Sequence, residues 1–219
     1  MKNTALKLLF TAAVLAPVVV YAQPRPGNPT TATVIMKGDL DKIRASEMPR
    51  GRDENSKVVD IGDGWSMEVG VIHRASTRNP PAPPPAANPA AAAAAAERTP
   101  CGEQMATPPA DAFKGALTHD NQTEGYYVVS GGGTAFIDGH VINGRHSTSN
   151  PDGGPNGPGC SGLSVGSRKV ELTVGDVLIV PQGVVHGWLD IPDHVDYLSF
   201  RPSHGVMKNG WVNPTIASK

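Results

Sequence analysis

Short runs of apolar and β-branched residues, each ended by glycine, proline, asparagine or aspartate, recur along most of this chain. Runs of this length are too short for amphipathic helices, and the dense turn formers favour strands joined by tight turns. The 25 glycines and 21 prolines among 219 residues fit the same interpretation. We therefore predict an all-β sandwich or barrel with one short helix. The predicted strands are 33–36, 57–61, 65–73, 112–119, 124–138, 168–174, 177–180, 184–191 and 195–201, and the predicted helix is 39–48 with Asp39 as its N-cap.

The first 22 residues are typical of a secretory signal peptide. Lys2 and Lys7 give a positive start, residues 8–20 are almost purely apolar, and the small Ala22 permits cleavage before Gln23. The apolar run is too short for a transmembrane helix, and no later segment resembles a stop-transfer helix, so we predict no membrane span. We expect an exported protein, periplasmic or secreted, whose mature chain 23–219 forms a single domain.

Two low-complexity segments interrupt this predicted domain. Residues 79–97 combine a proline-rich half with an alanine-rich half, and residues 149–159 are dense in glycine, proline, asparagine and aspartate. Neither segment carries side chains large enough to extend a core, and such turn formers do not support strand pairing. We predict that 79–97 is a flexible surface insertion and that 149–159 is a loop.

Charge and cysteine content narrow the environment and the partners. The formal net charge is −1, which gives no electrostatic surface for nucleic acid or for an anionic membrane. The chain has two cysteines, Cys101 and Cys160. Export favours oxidation, so we expect one disulfide, although spacing alone leaves two unpaired thiols as the alternative. In the chain-entropy model, a bridge across a loop of that length contributes about 4 kcal/mol.

A histidine and a glutamate occur close together at the start of a long predicted strand. Residues 120–123 form a predicted four-residue turn, so a hairpin would place His119 opposite Glu124. Facing residues have Cβ atoms about 5 Å apart, which lets both side chains reach one ion. Because strand side chains alternate between faces, Tyr126 and Val128 should follow Glu124 on the inward face.

A second group of residues lies in the stretch 175–190, GDVLIVPQGVVHGWLD. A buried strand, flanked by the tight turns at Gly175-Asp176 and at residues 181–183, precedes a returning strand. On the returning strand, His186 and Trp188 point to the same apolar face.

The spacings in both stretches resemble the two sequence motifs of the cupin superfamily. The second stretch reads G-x5-P-x-G-x2-H-x3-D, and the first reads His119-x4-Glu124-x6-Gly131. The motifs occur in the family's order, and the resemblance covers roughly residues 112–201. The resemblance implies a cupin-type jelly-roll barrel that holds a divalent metal inside.

The same resemblance implies a metal site made by His119, Glu124 and His186. The chain departs from the family pattern at Leu117, where the first motif has another histidine. The remaining set suits one divalent transition metal (Fe, Mn, Ni, Cu or Zn) and leaves positions open for water, oxygen or substrate. Asn121 is a weaker candidate for a fourth ligand. Cupin-like barrels often pair, so the resemblance also implies a homodimer.

Two functions fit such a site. In the first, the protein is a metal-dependent enzyme of oxygenase, isomerase or lyase type that acts on a small organic substrate, with Tyr126 as a proton donor. In the second, the same barrel binds a metal or small ligand without turnover. Tyr126 and Trp188 are expected to line the cavity. The other histidines are interpreted as surface residues or as residues around the site: His73, His140, His146, His194 and His204.

Overall fold

The computed structural model describes residues 25–47, 53–80, 98–147 and 157–217. These residues contain one helix and eleven strands, which confirms the predicted all-β class with a short helix. Within these ranges no helix is long and apolar enough to cross a membrane. The predicted signal peptide 1–22 and most of the segments 79–97 and 149–159 lie outside the described residues. The helix is α1 (Lys37–Glu47), and the strands are β1 (Asp53–Gly62), β2 (Trp65–Ala75), β3 (Pro100–Cys101), β4 (Phe113–Leu117), β5 (Glu124–Ile137), β6 (His140–Ser147), β7 (Gly159–Val165), β8 (Arg168–Thr173), β9 (Val177–Val180), β10 (His186–Asp190) and β11 (His194–His204).

The strands form one antiparallel sheet that folds into two layers, as a β-sandwich. The first layer has the order β1-β2-β11-β5-β9. In the second layer β5 continues between β8 and β10, and β4, β7, β6 and β3 follow beyond β10. Strand β5 therefore belongs to both layers and positions its first residues at the inner side of the sandwich.

Strand β5 passes from one layer to the other at its glycine-rich centre. Gly131 pairs with Val195 of β11 in the first layer, and Gly132 pairs with Thr173 of β8 in the second. Gly131 has a φ of 66°, and a Cβ atom there would lie 2.0 Å from the carbonyl oxygen of His194. A left-handed backbone at such a close contact requires glycine. Gly131 thus permits the change of layer.

The hairpin between β1 and β2 turns at an Asp-Gly pair. Gly62 pairs with Trp65, so Asp63 and Gly64 form a two-residue loop. Both loop residues have positive φ, 53° and 78°, which is the geometry that the Asp-Gly pair favours. The strands predicted at 57–61 and 65–73 are therefore joined by a tight turn.

The inward and outward faces of β5 follow the predicted alternation. Tyr126 and Val128 are buried, whereas Tyr127 and Val129 are 45% and 46% exposed. Because alternate side chains point to opposite faces, the buried row places Glu124 inside the sandwich. The main core cluster contains Ile72, Tyr126, Val128, Ala135, Leu172, Ile191, Val195 and Tyr197, and a second cluster contains Ala116, Phe136, Val141, Cys160 and Val185.

The amino-terminal strand prediction is wrong. Residues 33–36 are not in a strand, and Val34 and Met36 are 67% and 62% exposed. A β-branched run forms a strand only where it finds a neighbour to pair and pack with, and here none is found among the described residues. The helix begins at Lys37, and the N–H of Asp39 donates to the Met36 carbonyl at 2.9 Å, so Asp39 lies in the first turn and is not the N-cap. The predicted helix end at Met48 falls just outside the described residues.

Three strands, β3, β6 and β7, were not predicted. Strand β9 has the predicted bounds, but β4 and β10 are shorter than the predicted 112–119 and 184–191. Strands β6 and β7 form a hairpin on either side of the glycine-rich segment, and β7 already begins at Gly159. The expected disulfide is present and joins Cys101 of β3 to Cys160 of β7. Because β7 pairs with β4, the bridge lies close to the segment that carries His119.

Candidate metal centre

The three ligands expected from the sequence converge at one buried point. Each of His119, Glu124 and His186 offers one ligand atom, and these atoms lie within 4.8 Å of one another. Oε2 of Glu124 is 3.4 Å from Nε2 of His119 and 3.0 Å from Nε2 of His186. All three side chains are buried. This group of two imidazoles and one carboxylate could therefore hold a metal ion.

The two carboxylate oxygens of Glu124 have different partners. Oε1 accepts a hydrogen bond from Nε of Arg201 at 2.7 Å and a longer one from the Ser199 hydroxyl at 3.4 Å. Oε2 is the oxygen next to the two imidazoles. Burial by itself raises the pKa of Glu124, but Arg201 and the imidazoles outweigh burial and hold this pKa well below its ordinary value. The carboxylate is therefore ionised, and its contact with Arg201 fixes which oxygen faces the site.

His186 presents its Nε2 to the site. Its Nδ1 lies 3.1 Å from the carbonyl oxygen of Val184. A carbonyl oxygen only accepts, so this contact requires a proton on Nδ1, and Nε2 is the ring nitrogen that faces Glu124. This Nε2 is buried and has no hydrogen-bond partner among the described residues, although Oε2 of Glu124 is 3.0 Å away. A cation bound between these two atoms would satisfy both of them, so the donor set fits a metal ion.

His119 reaches the site by a different route from the predicted hairpin. Strand β4 ends at Leu117 and pairs with β7 and β10, with no pairing to β5, so the hairpin prediction is wrong. Instead, the His119 carbonyl accepts a hydrogen bond at 2.7 Å from the N–H of Gly183, a turn residue with a φ of 77°. This bond links the two sequence motifs directly. The neighbouring Asp120 contacts Nε2 of His146 at 2.7 Å, which further fixes the segment.

Tyr126 contacts the same carboxylate oxygen as the imidazoles. Its hydroxyl donates to Oε2 of Glu124 at 3.0 Å, and its ring packs on Tyr197 with centroids 4.1 Å apart. Burial, with a smaller contribution from the charge of Glu124, raises the pKa of Tyr126 well above its ordinary value. The phenol therefore keeps its proton and acts as a hydrogen-bond donor at the wall of the site.

A cavity of about 200 Å³ opens onto the three candidate ligands. Leu117 lines this cavity together with Tyr126. Asn121 is exposed and does not line the cavity, so it is not a fourth ligand here. Trp188 packs against Tyr197 in the main core cluster and is also absent from the lining, so the prediction that it lines the cavity is wrong.

Two arginines of the site were not predicted from the sequence. Arg201 is 2% exposed, contacts Glu124, and lies 3.6 Å from Oε2 of the buried Glu68. Arg74 lines the cavity from β2. Strand alternation could have predicted that both side chains point inward. Arg201 lies two residues after Ser199, and Arg74 lies an even number of residues after Glu68, so each arginine shares a strand face with a buried residue.

The remaining histidines do not belong to the group of candidate ligands found among the described residues. His73 is on the other face of β2, where its Nδ1 contacts the buried Asp196 at 2.5 Å, and Arg44 of α1 contacts the same carboxylate. His140 and His204 are exposed. The prediction that these histidines are not ligands is compatible with these contacts.

No protein-family model matches this chain, and no curated protein matches it either. The fold and the site together define a β-sandwich protein with a buried group of two histidines and one glutamate. Any function is therefore inferred from the geometry and chemistry of the residues themselves.

Proposed function

We propose that this protein is an exported, cupin-like metalloprotein and that it acts as a metal-dependent enzyme on a small organic substrate. The observation that carries the proposal is the convergence of His119, Glu124 and His186, with Nε2 of His186 buried and lacking a hydrogen-bond partner among the described residues. Two imidazoles and a carboxylate suit a divalent transition metal such as Fe, Mn, Ni, Cu or Zn.

Two further observations support the cupin-like and exported character. The residues of both sequence motifs lie on adjoining parts of a β-sandwich, and the Gly183 N–H of the second motif bonds the His119 carbonyl of the first. The disulfide between Cys101 and Cys160 favours an oxidising compartment, because such bonds are rare in cytosolic proteins. We infer a periplasmic or secreted location on this ground.

The residues around the site have separate roles in this proposal. A bound metal would supply a Lewis acid with open coordination positions, which oxygenase, isomerase and lyase chemistry all use. Arg201 holds Oε1 of Glu124 and so directs Oε2 to the site, while the Val184 carbonyl fixes the ring of His186. Tyr126 lines the cavity, and its hydroxyl would act on a substrate oxygen only after turning away from Oε2 of Glu124, to which it donates here at 3.0 Å.

A second candidate function is a metal-binding or small-ligand-binding module without turnover. Leu117 favours this alternative, because an apolar side chain lines the cavity where the family motif has a further histidine. The same fold can hold a binding site without a reaction, so the fold alone does not imply turnover.

Turnover assays separate the two functions. The mature protein is stripped with a chelator, reloaded with each candidate metal, and tested for oxygen consumption and product formation on phenolic and dicarboxylic compounds. We expect activity only in the reloaded protein, its loss in Glu124→Ala, and its retention in His140→Ala, which changes an exposed histidine. Bound metal without product on any compound would favour the binding module. Equal activity in the stripped protein or in Glu124→Ala would contradict the proposed site.

A further inference from the structure

Arg74 places a positive charge in the cavity that contains the candidate ligands. It lies near the end of β2 and lines the same cavity as His119, Glu124 and His186. Glu68 and Ile72 on the same strand are fully buried, and Arg74 follows them at a period of two. The inward direction of this arginine is therefore imposed by the strand and is not a chance position of a surface side chain.

A bound metal would make the charge around the cavity more positive. Among the described residues, the charged side chains of the lining are Arg74, Arg201 and Glu124. Arg201 pairs with Glu124 and lies 3.6 Å from Glu68. A divalent cation on the three candidate ligands would add two positive charges to this lining. Uncompensated charge in a poorly solvated site is costly, so such a cavity favours an anionic ligand.

The size of the cavity limits how large that anion can be. Sites for drug-sized ligands have volumes of about 300–1,000 Å³, and this cavity has about 200 Å³. A guanidinium has five N–H donors in a planar fork that matches a carboxylate. Arg74 can therefore keep its contacts with the protein and still donate to a bound carboxylate. The charge of the lining, the size of the cavity and the donor geometry of Arg74 all favour a small anion.

We infer that the cavity binds a small carboxylate of a few carbon atoms, with its carboxylate group on the guanidinium of Arg74. A second oxygen of the ligand would face the group formed by His119, Glu124 and His186. This second contact rests on the proposed function, whereas the contact with Arg74 does not need a metal. Arg74 is thus a residue that determines specificity for acidic substrates.

Binding of glycolate and of its uncharged isostere glycolamide tests this inference. Calorimetric titrations use metal-free and metal-loaded mature protein, in wild type, Arg74→Gln, Arg74→Lys and Arg78→Gln. Arg78 is the matched control because it is exposed, pairs with Asp190 and does not line the cavity. We expect glycolate to bind metal-free wild type and Arg78→Gln alike. Binding should weaken about tenfold or more in Arg74→Gln, as loss of a charged hydrogen bond predicts, and by less in Arg74→Lys.

Two results would overturn the inference. One is equal glycolate binding by wild type and Arg74→Gln, and the other is equal binding of glycolate and glycolamide by wild type. If Arg74→Gln fails to fold in a thermal unfolding control, the inference is still tested by Arg74→Lys and by the comparison of glycolate with glycolamide in wild type. Metal content measured on the same samples separates the two proposals. If the protein binds metal but glycolate binds equally well without Arg74, only the present inference is wrong. If glycolate binding depends on Arg74 but the protein binds no metal, only the proposed function is wrong.

Discussion

Replacement of Arg201 by methionine tests whether the charges behind the site are coupled as the structure indicates. The guanidinium is 2% exposed and lies between two buried carboxylates, with Nε 2.7 Å from Oε1 of Glu124 and 3.6 Å from Oε2 of Glu68. Arg201→Met keeps most of the volume but removes the cation that these carboxylates share. Breaking a buried ion pair from one side costs about 3–5 kcal/mol. That loss is a large part of the 5–15 kcal/mol of free energy of unfolding of a typical domain.

The loss should depend on pH with a defined sign. In the wild type the pKa of Glu124 is lowered, so its ionised form contributes stability above the ordinary value of 4.5, and this contribution is lost as the pH falls below it. Without Arg201, burial dominates and raises the pKa of Glu124, so the variant takes up a proton at a higher pH. The difference in free energy of unfolding should be largest near neutral pH and should shrink as the pH falls towards 4.5 and below.

Urea unfolding of chelator-treated protein, followed by tryptophan fluorescence between neutral and acid pH, measures this difference. Arg78→Met is the control, because Arg78 pairs with Asp190 at an exposed position and should change stability little. A loss in Arg201→Met of less than about 1 kcal/mol at neutral pH, the range of a surface pair, would refute the reasoning. A difference that does not change with pH would refute the charge coupling even if the loss is large.

Three further changes test other parts of the structure. Replacing both Cys101 and Cys160 by serine should lower the free energy of unfolding by about 4 kcal/mol, because the bridge spans 59 residues; a loss below about 1 kcal/mol in urea unfolding would contradict the chain-entropy estimate. Leu117→His adds an imidazole to the cavity wall and should tighten metal binding in equilibrium dialysis, and an unchanged affinity would mean that this position does not reach the ion. Tyr126→Phe removes the donor to Glu124 and should cost about 1.5–3 kcal/mol of stability without unfolding the chain, whereas no loss would show that this hydrogen bond is dispensable.

The sequence predicted the site residues better than it predicted their strand pairing. The inward position of Glu124 follows from strand alternation alone, and alternation is a local property of the backbone. The position of His119 is not local, because it depends on the hydrogen bond to Gly183, more than sixty residues away. His119 and Glu124 do lie together, as the motif spacing predicted, but the hairpin proposed to bring them together does not form.

The unpredicted strands share a physical cause. Strand β7 reads GCSGLSV, which has few β-branched residues, and it is held by pairing with β4 and β6 and by the disulfide of Cys160. Such a segment becomes a strand through tertiary contacts that propensity does not contain. The reverse holds for residues 33–36, where favourable propensity lacks a neighbouring strand. Alternation could have placed Arg201 on the inward face, but it does not show that the guanidinium pairs with Glu124, which is a tertiary contact.

Quantitative metal analysis tests the central claim most directly. Mature protein is loaded with each candidate metal, freed of excess metal by gel filtration, and assayed for metal per chain in wild type, His119→Ala, Glu124→Ala and His186→Ala. His140→Ala is the matched control because that histidine is exposed. The structure predicts one ion per chain in wild type and control, and a marked loss in each of the three site variants. Absence of metal from the wild type, or undiminished binding in all three variants, would contradict the account.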